Sequence, residues 1–339
     1  MSDSLNVIPS GDESGSPLGN KDLTAYTGAL VDRLWRYRRR RFSGRDELFD
    51  RSGRSRLRPP VFGREYADSN LILDPSAGPE RNAAVVGAIP VTARHRWFRS
   101  MKSSQALTQS VFANLSEHGK LGLLAGLETP EGEPAFFELP PATSTFTLER
   151  QVRHLGEPTS TSVDVMIEGA HRVGVECKFT EWEVGSCSRP TMEDDDPRYC
   201  DGGYHHQTSR VERCQLTSIG VRYWEHIPRL FEWSAREDHQ PCPVRFTFQL
   251  VRNVLAACVS PDGAVDRESH CLLVYDERNP AFQIGGAALR AWEQVREGLR
   301  AKQCARRVSW QSIMSRVAAD PEMQWLASEI EQKYGISGS

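Results

Sequence analysis

Three things are missing from this chain of 339 residues. No apolar run approaches the ~20 residues of a helical membrane span. None of its eight cysteines forms a Cys-x-x-Cys pair, and no segment repeats another. A disulfide framework is therefore not expected in a chain this long without a secretion signal. The first residues, MSDSLNVIPSGDESGSPLGN, also lack the basic start and apolar core of such a signal. A cytoplasmic protein with no membrane partner is the expectation. Rich in Ser, Gly and Asp, residues 1–22 read as a disordered tail.

Charge is nearly balanced overall, at -3, but unevenly spread. Arginine is dense from Arg33 to Arg58 and includes Arg38, Arg39, Arg40 and Arg41, with Trp35, Tyr37 and Phe42 interleaved. Arginines on an exposed helix can neutralise phosphates and steer association with nucleic acid. The same letters also describe a solvated amphipathic helix packing through Leu30, Leu34 and Tyr37. Cys187, Cys200, Cys214 and Cys242, near His205 and His206, are residue types of a structural Zn²⁺ site. Their irregular spacing lacks the short ligand pairs usual in such sites, so buried or free thiols are expected instead.

The segment Asp164–Lys178, DVMIEGAHRVGVECK, carries the most information. Side chains alternate faces along a strand. Val173, Val175, Cys177 and Phe179 fall on one apolar face, and Glu176 and Lys178 on the other. Val163, Val165 and Ile167 alternate with Asp164, Met166 and Glu168. A three-residue loop, Gly169-Ala170-His171, would join two strands symmetrically about Ala170. That register sets Asp164 opposite Glu176, with Cβ atoms ~5 Å apart, and Glu168 opposite Arg172 as an ion pair. A slip of one residue would scatter the cluster.

Phosphodiester hydrolysis needs a nucleophilic water, charge stabilisation at phosphorus and help for the leaving oxygen. Mg²⁺ binds one or two carboxylates and keeps several waters. It acidifies a bound water and polarises the phosphoryl group. A lysine beside it can orient the water or stabilise developing charge. Asp164, Glu176 and Lys178 are the candidates for those tasks. An ordinary hairpin with solvated charges is the other reading of this segment.

Asp164 followed by Glu176-Cys177-Lys178 resembles the motif of the PD-(D/E)XK nuclease superfamily, with Val163 where its name has proline. RWFRSMKSSQALTQSVFANL (96–115), VECKFTEWEVGSCSRP (175–190), CPVRFTFQLVRNVLAACV (242–259) and LLVYDERNPAFQIGG (272–286) resemble, more closely, a bacterial restriction endonuclease family within it. That likeness runs from about residue 95 to Gly335. It implies an α/β fold with a restriction-endonuclease-like core: a mixed central sheet flanked by helices, here with a helical N-terminal extension. It implies a Mg²⁺-dependent endodeoxyribonuclease (Mn²⁺ a substitute) of restriction or phage-defence type, leaving a 5′-phosphate and a 3′-hydroxyl. Asp164, Glu176 and the backbone carbonyl of Cys177 would hold metal. Glu149 would act from a helix before the first core strand, over TSTFTLERQVRHLG, capped by Ser144 or Thr145. DNA is the expected partner; a homodimer and a methyltransferase or defence-system partner are consistent with it. A repair-type nuclease, a non-catalytic nucleic-acid-binding protein and a metal-stabilised interaction module are the alternatives.

Along the chain, residues 23–135 read as a basic helical region and 136–339 as the nuclease domain. Helices are expected within 23–58, 100–126, 203–226, 244–258, 287–302 and 309–334, with a break at Pro59-Pro60 and a strand over 271–275. Pro321 suits the first turn of a last helix. Gln249 with Arg252, and Gln207 with Arg210, are three apart on predicted helices and can each face one phosphate or base edge.

Overall fold

The computed structural model describes residues 20–50, 57–136, 144–158, 161–206 and 214–338. The tail expected over residues 1–22 falls almost wholly outside them, as do Gln207 and Arg210.

Five strands form one sheet in the order β1 (Thr145–Val152), β2 (Thr161–Glu168), β3 (Arg172–Cys177), β4 (His270–Tyr275) and β5 (Ala305–Ser309). β1, β2 and β3 run antiparallel, whereas β4 and β5 join parallel to β3. Helices α1 (Asn20–Arg41), α2 (Pro79–Gly87) and α3 (Ser104–Glu117) precede the sheet. The short α4 (Gln215–Ser218), then α5 (Tyr223–Leu230) and α6 (Phe248–Cys258), lie between β3 and β4. Helix α7 (Ala287–Gly298) connects β4 to β5, and α8 (Trp310–Ala319) and α9 (Gln324–Tyr334) follow. This is the mixed sheet flanked by helices that the resemblance implies.

The predicted hairpin forms in the predicted register. Glu168 pairs with Arg172 and Val165 with Val175, across the loop 169–171. Glu168 does not take Arg172 as its ionic partner; its carboxylate stands 3.5 Å from Arg150 on β1. Both faces of the sheet are covered, as strands with a parallel partner require. Val165, Val173, Val175, Cys177, Leu272 and Val308 pack against α3, α8, α9 and α1. Met166, Cys271, Leu273 and Ala305 pack against α5, α6 and α7. Leu34 and Phe62 share the first of these cores with Val175 and Trp310, so packing is continuous across residue 135.

Helix α3 is buried along most of its length. Ser103 caps it by accepting the Ala106 N–H. Several of its buried polar groups bond to the segment before it. The Gln109 amide donates to Val85 O (2.7 Å), that of Asn114 to Ile72 O (2.9 Å), and Ser110 Oγ accepts Ile72 N–H (3.0 Å). Those bonds order residues 70–90, where periodicity alone indicates nothing. Replacing Phe112, fully buried on α3 beside Trp310, with alanine should cost about 3–5 kcal/mol. Urea unfolding measures it, and a loss below about 1 kcal/mol would contradict this placement of α3.

Candidate nuclease active site

The expected helix at residues 144–155 is strand β1. Leu148 and Val152, four apart, suit either period, but Thr145, Thr147 and Phe146 favour a strand, and β2 offers a partner. Glu149 therefore reaches the site from a strand. Its backbone is left-handed, with φ of 50°, unlike any other described non-glycine residue. The ladder runs Leu148↔Val165 before it and Arg150↔Val163 after it, so no residue is inserted. Yet Leu148 and Val165 belong to one core, and Val152 and Val163 to the other. The strand pair turns over where Glu149 and Asp164 stand. A glutamate in this conformation costs ~1–3 kcal/mol, the kind of strain that clusters at functional sites.

Asp164 and Glu176 meet as the register requires, but the ladder between them is opened. In place of a backbone bond, the Asp164 carboxylate accepts the Cys177 N–H at 2.7 Å. Glu176 is sealed, 2% exposed, and Lys178 nearly so. Lys178 Nζ stands 2.7 Å from Glu176 Oε1 and donates to Gln249 Oε1 at 2.8 Å. The Gln249 amide in turn donates to Glu176 Oε1, and that of Asn253 to Glu176 Oε2. Asp164 and Glu149 are half-buried as whole residues. Gln105, from α3, donates to Glu149.

The electrostatics follow from this crowding. Burial pushes the Asp164 carboxyl well above its usual range, and Glu176 and Glu149 add to the rise; the Cys177 N–H and Lys178 oppose it. Burial also raises Glu149, with Glu176 adding and Ser162 and Gln105 opposing. For Lys178, burial favours the neutral amine, but Glu176, Glu181 and Asp164 outweigh it and hold the pKa above the ordinary lysine value. Lys178 is thus an ammonium at neutral pH. It can donate to water or to phosphate oxygen, and it is not a base in this arrangement.

Helix α6 supplies the braces. Gln249 and Asn253 are four apart and face Glu176 together. Arg252 points elsewhere, donating to Asn253 Oδ1 (3.1 Å) and towards Ser162 O. The useful spacing on this helix is thus Gln249 with Asn253, not Gln249 with Arg252. The loop after Lys178 crosses Gln249 at Gly185 (φ 100°), whose carbonyl accepts the Gln249 N–H and where a Cβ would strike the Gln249 side chain. Gln105, Asn253 and Glu181 escape sequence reasoning as site residues. Only Asn253 carries a signal, a polar residue on the apolar stripe of α6.

The arginine run is partly spent on structure. Arg38 pairs with Asp46 at 2.7 Å and lies over the Trp35 and Phe49 rings. Arg40 donates to Gln332 (2.9 Å), and Arg41 lies by the Phe42 ring. Arg39 is exposed. Among the described residues, no three His, Cys, Asp or Glu side chains stand preassembled around a metal ion, and no helix is long and apolar enough to cross a membrane.

Residues 59–335 match the family described as Restriction Endonuclease associating with ARP. No curated protein and no solved structure gives a significant match.

Because its folded pKa is raised, Asp164 favours the native state below the usual carboxylate pKa of ~4. That contribution is lost as pH rises through the folded value. In metal-free buffer at pH 7, Asp164→Asn should therefore raise the melting temperature by at least ~2 °C. At about pH 4 the gain should vanish. A variant no more stable than wild type at neutral pH would contradict the electrostatic crowding.

Proposed function

Because this chain belongs to the family of restriction endonucleases associating with ARP, we propose that it is a Mg²⁺-dependent endonuclease that cuts DNA at the Glu149–Asp164–Glu176–Lys178 cluster. The observation that carries this reading is the gathering of three carboxylates from three adjacent strands around Asp164, with the buried Lys178 ammonium against Glu176. Three mutually repelling carboxylates are hard oxygen donors that a divalent cation would relieve, and Mg²⁺ or Mn²⁺ suits them. When bound, the ion would acidify a water and polarise the phosphoryl group. Asp164, Glu176 and the Cys177 carbonyl would hold it, with Glu149 holding its water shell or a second ion. Lys178, kept protonated, would orient the attacking water or stabilise charge on the phosphate. Gln249 and Asn253 fix the Glu176 carboxylate and so act as positioning residues.

Restriction or phage defence is the biological role this reading favours, with a 5′-phosphate and a 3′-hydroxyl as products. A repair role would use the same site. Double-strand cutting would call for a homodimer, and the family description names ARP as an associate.

Purified protein should cut plasmid or single-stranded DNA with Mg²⁺ and not with EDTA. Lys178→Ala and Asp164→Asn should each lose at least ~10²-fold in rate while melting cooperatively. Full activity in either variant would remove the site from this cluster. Replacing Arg39 and Arg41 together by alanine should weaken binding to DNA of any sequence. It should also flatten the dependence of log affinity on log salt by roughly 2, read by fluorescence anisotropy. An unchanged slope would confine the run to its structural contacts.

A further inference from the structure

We propose that Cys187, Cys200, Cys214 and Cys242 bind a structural zinc ion as four thiolates. Their spacing in sequence is irregular, yet the fold gathers all four around one cavity of about 20 Å³, beside α4 and α5. That is room for a single water or a bare ion. All four are free thiols.

The backbone around each sulfur is built alike. The Gly202 N–H donates to Cys200 Sγ at 3.4 Å. The backbone amides of Arg189, Leu216 and Val244 lie close enough to Cys187, Cys214 and Cys242 to oppose the rise of their thiol pKa values. In every case the amide lies two residues after the cysteine. Turns of this kind aim amide hydrogens at a sulfur, and such bonds favour the thiolate form over the thiol. One such turn in a loop is unremarkable. Four of them on four separate segments, facing one cavity, form a set. Gly202 makes its own turn feasible, with φ of 83°.

The segments are also tied to one another. The Cys187 N–H donates to Arg245 O at 2.8 Å and the Cys242 N–H to Gly202 O at 2.7 Å. Burial raises the Cys187 thiol to about 11, with Cys214 and Cys200 adding to the rise, and Cys242 to about 12, with Cys214, Cys187 and Cys200 adding. Each thiol thus lies within electrostatic reach of the others. The sulfurs do not yet enclose an ion, so loading requires the side chains to turn inward about χ1 within the cavity they already line. Zinc takes four thiolates tetrahedrally, and the thiol protons leave to solvent. Among its described residues the long connection between β3 and α6 has only short helices, and one ion would join four points along it.

The full chain, expressed with zinc in the medium and dialysed, tests this by elemental analysis. About one zinc per chain is expected, lost in Cys200→Ser and in Cys242→Ser and kept in Cys271→Ala, whose sulfur lies in the sheet. Should the serine variants fail to fold, wild type reconstituted with Co²⁺ decides. Tetrahedral d–d bands with intense thiolate-to-cobalt charge transfer are expected. Cobalt without those bands, zinc well below one per chain in wild type, or zinc retained equally by folded serine variants would overturn the site.

Discussion

A buried ion pair, Glu176 with Lys178, sets the terms for the rest of this structure. Removing two charges from water costs several kcal/mol each, and their attraction offsets that only if the remaining lone pairs and protons are satisfied. Here the neighbouring elements supply that satisfaction. Helix α6 contributes Gln249 and Asn253, both bonded to the Glu176 carboxylate. The Glu181 carboxylate lies within electrostatic reach of Lys178 and is itself held by Ser104 and the Phe179 N–H. The position of α6 across the sheet is therefore an electrostatic requirement as well as a packing one. Gly174 fits the same logic: it meets Ala257 of α6 at a distance that leaves little room for a larger side chain.

The chain leaving the pair is held just as firmly. Trp310 donates to the Lys178 carbonyl (3.1 Å) and Asn279 to those of Phe179 and Glu181, and the Tyr26 hydroxyl lies 3.1 Å from that of Phe179. These side chains come from α8, from the turn after β4 and from α1. The N-terminal helix is thus part of the scaffold that orients the site, which explains why one core spans the chain from Leu30 to Ile336. Arginines on the end of that helix stand in a fixed relation to the carboxylates.

What could be read from sequence was local. The β2–β3 hairpin was legible because a period of two and a three-residue loop leave one register that buries the apolar face. The helical nature of 248–258, 287–298 and 310–334 was legible from apolar spacing, although the last helix begins at Gln324, after Pro321 instead of around it. Glu149 was identified with the wrong element because its flanking leucine and valine fit two periods. Strand β5 went unseen because Arg306 and Arg307 interrupt its apolar pattern. Arg306 is nonetheless buried and donates to Pro134 O (2.5 Å) and Gln303 O (3.0 Å). The four cysteines could be grouped in sequence as residue types of a zinc site, but their irregular spacing spoke against it, and their meeting around one cavity depends on contacts between segments up to Cys242 that no local pattern encodes.

Asp276 is fully buried at the end of β4, where it accepts from Tyr26, Gln311 and Arg278. Arg278 also donates to the carbonyls of Tyr334 and Gly335. One carboxylate thereby sews α1 to the turn that receives α9. The anchor of α1 is therefore complete only when α9 has docked, although the two helices lie far apart in sequence. A nascent or truncated chain lacking α9 has a hairpin with its acids but not the frame that fixes them. The ordering of the acidic hairpin is thus coupled to the docking of the last described helix of the chain.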